Sequence, residues 1–138
     1  MADDGLARVD RLLAEARGAI APRATPGDLE QLLASGALVV DTRPIEQRTR
    51  DGELPGALVI DRNVLEWRLD ATSASRVAEA EDPARLIVVV CNEGFSSSLA
   101  AATLRTLGRP NATDLDGGYQ AWLAWRASQR LVGERLAD

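Results

Sequence analysis

The sequence predicts an α/β domain built on a parallel sheet, and three observations carry that prediction. Four short apolar runs, Ala37–Val40, Ala57–Ile60, Leu86–Val90 and Ala112–Asp116, are spread along 138 residues. The richest of them, Leu86-Ile-Val-Val-Val90, shows no polar alternation, as expected of a strand covered on both faces. Between the runs lie segments with apolar residues at three-and-four spacing, which read as crossover helices joined right-handedly to the next strand.

The elements follow in order. Leu6, Val9, Leu13, Ala16 and Ile20 mark a first amphipathic helix, with Asp3 or Asp4 as cap candidates and Pro22 beyond its end. This helix either packs on the domain or contacts a second copy. Thr25-Pro26-Gly27-Asp28 is a helix start, with Thr25 as N-cap, Pro26 in the first helical position and Asp28 near the positive end of the dipole. Leu29, Leu32 and Leu33 form its buried face, and Gly36 ends it.

The first strand runs into Asp41-Thr42-Arg43-Pro44, where an acid and a base two residues apart read as a structural ion pair. Ile45 to Gly52 forms a short charged helix, and Gly52-Glu-Leu-Pro-Gly56 turns the chain into the second strand. Arg62 and Arg68 then fall on or near the sheet edge where α/β folds bind ligands, as candidate anion-binding groups. Val64, Leu65, Trp67 and Leu69 make an apolar-faced segment, and Ala71 to Pro83 is small, polar and loosely patterned.

The third strand runs directly into Cys91, the only cysteine. In the loop that follows, Asn92 to Ser97, Gly94 permits a turn and the small residues can curl backbone N–H groups toward the sulfur. Ser96, Ser97 and Ser98 are N-cap candidates for a helix carrying Leu99, Leu104 and Leu107. Such surroundings lower a thiol pKa from about 8.5 to roughly 3.5–7.5. Glu93 opposes this: a carboxylate about 7 Å away repels a thiolate by roughly 0.6 kcal/mol at a dielectric of 80 and about 2.4 at 20. A small buried hydrophobe is the competing reading of Cys91. After the last strand, Gly117-Gly118 precedes a helix whose Tyr119, Trp122 and Trp125 share one core-facing side.

Composition removes several function classes. The chain has no histidine, so a serine-histidine triad, a cysteine-histidine pair and a histidine-ligated metal site are excluded, and one cysteine makes neither an internal disulfide nor a thiolate cluster. A net charge of -5 gives no drive toward nucleic acid. The acidic N-terminus and the lack of a long apolar run predict no membrane segment and a cytoplasmic location. Neither GxGxxG nor GxxxxGK[ST] follows any strand, so nucleotide binding is not expected, and no cofactor or metal is implied.

Four stretches occur in an order that resembles a single-domain rhodanese: Val40-Asp-Thr-Arg43, Gly52-Glu-Leu-Pro-Gly-Ala57, Cys91 with its CxxGxSS loop, and Asp116-Gly-Gly-Tyr-Gln-Ala-Trp122. The resemblance covers about Arg23 to Ala127. It implies a rhodanese-like α/β fold with a central five-stranded parallel sheet and helices on both faces, residues 1–22 standing as a helical extension to a domain of residues 23–138. It also implies that Cys91 is a catalytic cysteine cycling through a persulfide, within a substrate-binding loop of Asn92, Glu93, Gly94, Phe95, Ser96 and Ser97.

Family members often carry arginine where this chain has Asn92 or Ser96, and histidine where it has Glu53. The expected partners are a small sulfane-sulfur donor and an acceptor. With no second cysteine to resolve a persulfide, the acceptor is an external thiol, cyanide or a protein. Two other functions fit the same loop: a non-catalytic binding module, and a phosphatase or arsenate reductase, which would need an arginine where Ser97 stands.

Overall fold

The computed structural model describes residues 5–137. Four parallel strands, β1 (Leu38–Asp41), β2 (Leu58–Val59), β3 (Ile87–Val90) and β4 (Ala112–Asp114), form one sheet in the order β2-β1-β3-β4. Six α-helices accompany them: α1 (Arg8–Ile20), α2 (Leu29–Ala34), α3 (Ile45–Asp51), α4 (Leu65–Leu69), α5 (Ser96–Thr106) and α6 (Gly118–Ala137).

The expected α/β class and parallel sheet are present, with four strands rather than five. The fifth position is reduced to one bridge between Ala24 and Leu115, made by Ala24 N–H to the Asp114 carbonyl at 2.9 Å and Asp116 N–H to the Ala24 carbonyl at 2.8 Å. Pro22 and Pro26 flank this segment and have no N–H to extend a ladder.

Strand periodicity divides the core into two layers. Leu38 and Val40 of β1 and Ile87 and Val89 of β3 face a cluster with Ile20, Leu65, Leu69, Ala101 and Leu104, contributed by α1, α4 and α5. Val39, Val88 and Val90 face the other side, against Leu29 of α2, Tyr119 and Trp122 of α6, and Leu115 just after β4. Both faces of β1 and β3 are fully covered, which accounts for the unbroken apolar runs.

Local chemistry sets the helix ends. At the start of α2 the Asp28 carboxylate accepts from the Thr25 N–H and hydroxyl at 3.1 and 2.7 Å, closing a 3₁₀ turn over Pro26–Asp28. α1 packs on α5 through buried Ala16 and Ile20. It begins at Arg8 with Ala7 in the cap position, and Asp3 and Asp4 lie outside the described residues.

The Asp41–Arg43 pair is structural. Both side chains are fully buried, with Arg43 Nη2 2.9 Å from Asp41 Oδ2, and the guanidinium also donates to the Gly52 carbonyl and lies over the Tyr119 ring. Among the described residues no helix is long and apolar enough to cross a membrane.

The loosely patterned stretch before β3 is held by Arg109, whose fully buried side chain donates to the carbonyls of Leu69, Ala80 and Asp82 at 3.2, 2.8 and 2.8 Å. Removing those donors strands buried carbonyl groups, so Arg109→Ala is expected to cost about 3 kcal/mol. The check is urea unfolding, with a lower midpoint and an unchanged m-value.

Candidate active site

β3 delivers Cys91 to the C-terminal edge of the sheet, and Thr42 fixes the strand end by donating its N–H and hydroxyl to the Val90 carbonyl at 2.8 and 3.0 Å. The loop then folds back over the sulfur. Gly94 N–H and Ser97 N–H point at Cys91 Sγ from 3.2 and 3.4 Å, and Ser97 Oγ lies 3.2 Å from it.

The serines do not cap α5 as expected. Phe95 holds the cap position, and the thiol sulfur accepts one of the helix's unpaired N–H groups, that of Ser97. The Ser97 and Ser98 hydroxyls turn inward to Asp114 Oδ2, at 2.8 and 2.7 Å.

Close approach of α6 completes the cradle. Tyr119 and Gln120 N–H groups donate to the Cys91 and Asn92 carbonyls at 2.9 and 3.0 Å, which places Gly118 directly against the loop. At Gly118, where φ is +62°, a Cβ would sit 2.5 Å from the Cys91 carbonyl oxygen and 2.7 Å from Gly94 N. Only glycine fits there.

Burial pushes the Cys91 thiol pKa up, but the Ser97 and Ser96 hydroxyls and the Ser97 and Gly94 N–H groups together bring it below the ordinary value. Glu93 is solvent-exposed, which puts its repulsion at the high-dielectric, weak end of the expected range.

The sulfur opens into a cavity of about 390 Å³, walled by Cys91, Asn92, Glu93, Phe95 and Ser96 on one side and by Gln47, Arg62 and the Thr42–Pro44 turn on the other. Arg62 stands in the wall with Nη1 held by both Glu66 carboxylate oxygens, at 2.9 and 3.0 Å. Arg68 does not join it. From α4 it donates to the Ser75 carbonyl at 2.7 Å and does not line the cavity, so the structure does not bring Arg68 together with Arg62 beside the sulfur. A larger cavity of about 520 Å³, beside Leu32, Leu86 and Arg105, contains no nucleophile. Among the described residues no group of three His, Cys, Asp or Glu side chains could hold a metal ion.

Three further residues act on the loop without a sequence motif to announce them. Arg17 of α1 and Arg23 donate to the Gly94 carbonyl at 2.8 and 3.1 Å, and the Arg17 guanidinium lies 5.5 Å from the Phe95 ring centroid. Arg23 also pairs with the fully buried Asp114, Nε to Oδ1 at 2.8 Å. A carboxylate inside a short apolar strand needs a buried partner, and that was the available signal for Asp114.

The fold and site define a class: an α/β domain that presents one buried, activated thiol in a cradle of backbone N–H groups at the end of its central strand. The chain belongs to the rhodanese-like family, whose domain model matches residues 25–124. It is 36% identical over 112 residues to the thiosulfate sulfurtransferase GlpE of Pseudomonas aeruginosa, covering 81% of this chain and 93% of that one.

Among solved structures, a human single-domain sulfurtransferase is 34% identical with a TM-score of 0.63, covering 75% of this chain and 96% of that one. A Rhodopseudomonas palustris protein of unknown function, described as a possible tyrosine phosphatase, is 28% identical with a TM-score of 0.76, covering 90% of this chain and 95% of that one.

Two outcomes are expected of the cradle. Alkylation of Cys91 by iodoacetamide should reach half its maximal rate at a pH below that of an ordinary thiol, because the lowered pKa leaves more thiolate at any neutral pH. Gly118→Ala should remove that advantage and destabilise the fold by about 2 kcal/mol, read as a slower alkylation rate at neutral pH and a lower urea midpoint.

Proposed function

We propose that this chain is a single-domain sulfurtransferase that carries a sulfane sulfur on Cys91. The observation that carries this reading is the sulfur's position, buried at a strand end and faced by Gly94 N–H, Ser97 N–H and the Ser97 hydroxyl. Family membership and the likeness to named thiosulfate sulfurtransferases support it.

In the first half-reaction the Cys91 thiolate attacks the outer sulfur of a donor such as thiosulfate. The donor's S–S bond breaks, its electron pair leaves with sulfite, and Cys91 becomes a persulfide anion. In the second, an external thiolate or cyanide attacks the outer sulfur, the persulfide S–S bond breaks, and its electron pair returns to Cys91 Sγ. No proton or redox partner is needed to balance either step.

The loop residues Asn92, Glu93, Gly94, Phe95, Ser96 and Ser97 form the substrate side of this site. Arg62 is the cation an anionic donor meets across the cavity. Residues 23–138 act as the rhodanese-like domain and residues 1–22 as its extension. The cytoplasm, where a lone thiol stays reduced, is the fitting compartment.

The Rhodopseudomonas relative raises phosphate chemistry as a second reading. Here the loop position that would supply a phosphate-clamping arginine is Ser97, whose hydroxyl is turned to Asp114. Without that bidentate donor, the loop lacks the clamp that holds a phosphate monoester against the nucleophile.

The test is incubation with thiosulfate or a low-molecular-weight persulfide followed by intact-protein mass measurement. A gain of one sulfur atom is expected, absent in Cys91→Ser and discharged as thiocyanate by cyanide. Failure of every sulfane donor to load the protein would leave a binding module as the function.

A further inference from the structure

Ser97 stands between two groups that each want its one proton. Its Oγ is 3.2 Å from Cys91 Sγ and 2.8 Å from Asp114 Oδ2, and a hydroxyl donates only once. While the sulfur is a thiol, a continuous run forms: S–H to Ser97 Oγ, and Ser97 O–H to the carboxylate. A thiolate reverses the demand, because it accepts and cannot donate.

Asp114 is equipped for that reversal. Its Oδ1 accepts from Arg23 Nε at 2.8 Å, and its Oδ2 accepts from Arg23 Nη2 at 3.1 Å and from Ser98 Oγ at 2.7 Å. The buried carboxylate therefore stays paired when Ser97 turns away.

We infer that Ser97 is a hydroxyl switch, donating to Asp114 while Cys91 Sγ is uncharged and to the sulfur when it becomes a thiolate, with Asp114 as the positioning residue that sets the balance. The inference deepens the proposed sulfur transfer and rests on Cys91 as its nucleophile. Charge develops on Sγ when the acceptor breaks the persulfide S–S bond, and the electron pair arrives as the Ser97 proton swings to meet it. A donor that strengthens its bond at that moment lowers the barrier, whereas one bound equally throughout does not.

The other charged groups around the sulfur are Arg23, Arg43 and Arg62, Glu93 on the loop, and Arg17 reaching in from α1. None of them contributes a proton that must choose between Sγ and Asp114 among the described contacts.

The experiment titrates the Cys91 thiolate by ultraviolet absorbance on the resting protein, so it reads the switch whether or not a sulfane donor loads the thiol. Ser97→Ala should raise the thiol pKa by about one to two units, the weight of one hydrogen bond to a charged group. Ser98→Ala removes a donor from the same carboxylate oxygen without touching the sulfur, so it tightens the hold of Asp114 on the Ser97 proton only indirectly and should raise the thiol pKa by less than Ser97→Ala does. Equal effects from these two variants would overturn the switch.

Asp114→Asn should lower the thiol pKa, since an amide can donate to Ser97 Oγ and turn its proton to the sulfur. That drop should shrink when Ser97→Ala is also present. An undiminished drop would mean a charge effect alone and would sink the inference. If Asp114→Asn does not fold, the comparison of Ser97→Ala with Ser98→Ala decides by itself. For turnover, Ser97→Ala should move the acid limb of the kcat profile to higher pH together with the thiol, a shift that simple loss of folded protein does not produce.

Discussion

A carboxylate with no exposed surface, Asp114, is the constraint on which the site's architecture depends. Buried and unpaired it would cost several kcal/mol, so its neighbours have to answer it. Arg23 does so from the segment before the bridge at Ala24, and Ser97 and Ser98 do so from the first turn of α5. One charge thereby ties together the outermost segment, the edge strand β4 and the loop that carries the sulfur. It also explains how a single bridge can stand where the family resemblance implies a strand: the guanidinium anchors the segment that two backbone bonds alone would hold weakly.

The parts of this arrangement that were legible in the sequence are those written in local patterns. The β3 run, the Cys91 turn, the Thr25–Asp28 helix start and the Tyr119–Trp122 face all follow from apolar spacing and turn chemistry within a few residues. What stayed hidden depends on polar side chains meeting across the chain. Arg23 and Asp114 are 91 residues apart, and Arg17 and Gly94 are 77 apart.

Arg109 was hidden for the same reason, because two of its three carbonyl partners, Ala80 and Asp82, belong to a stretch with no pattern of its own, and the third, Leu69, is 40 residues away. The serine run misled in a different way. Serine before a helix normally caps it, but here the sulfur takes up one helix N–H and frees the hydroxyls for the carboxylate. Arg62 and Arg68, close in sequence, diverge because they lie on different elements and take different partners, Arg62 in the turn before α4 pairing with Glu66 and Arg68 on α4 bonding the Ser75 carbonyl.

The absence of histidine gives the site a particular electrostatic character. The N–H groups on the sulfur do not titrate, and the serine hydroxyls remain neutral across the physiological range. The stabilisation of a thiolate is therefore supplied by neutral dipoles, the backbone N–H groups and the serine hydroxyls, which hold the thiol below its ordinary pKa without titrating themselves. The overall acidity of the chain does not enter this balance, since Glu93 is exposed and the cavity wall contains arginine.

Both guanidinium groups on the Gly94 carbonyl come from residues that precede the span shared with the family, which begins at residue 25. The common core thus supplies the nucleophile, while the stiffness of its loop is added from outside that core. Two relatives with the same sheet and the same cysteine can differ in how firmly the loop is gripped, according to what each carries ahead of its first shared helix. A fragment trimmed to the shared span would lose that grip together with the Arg23 partner of the buried Asp114.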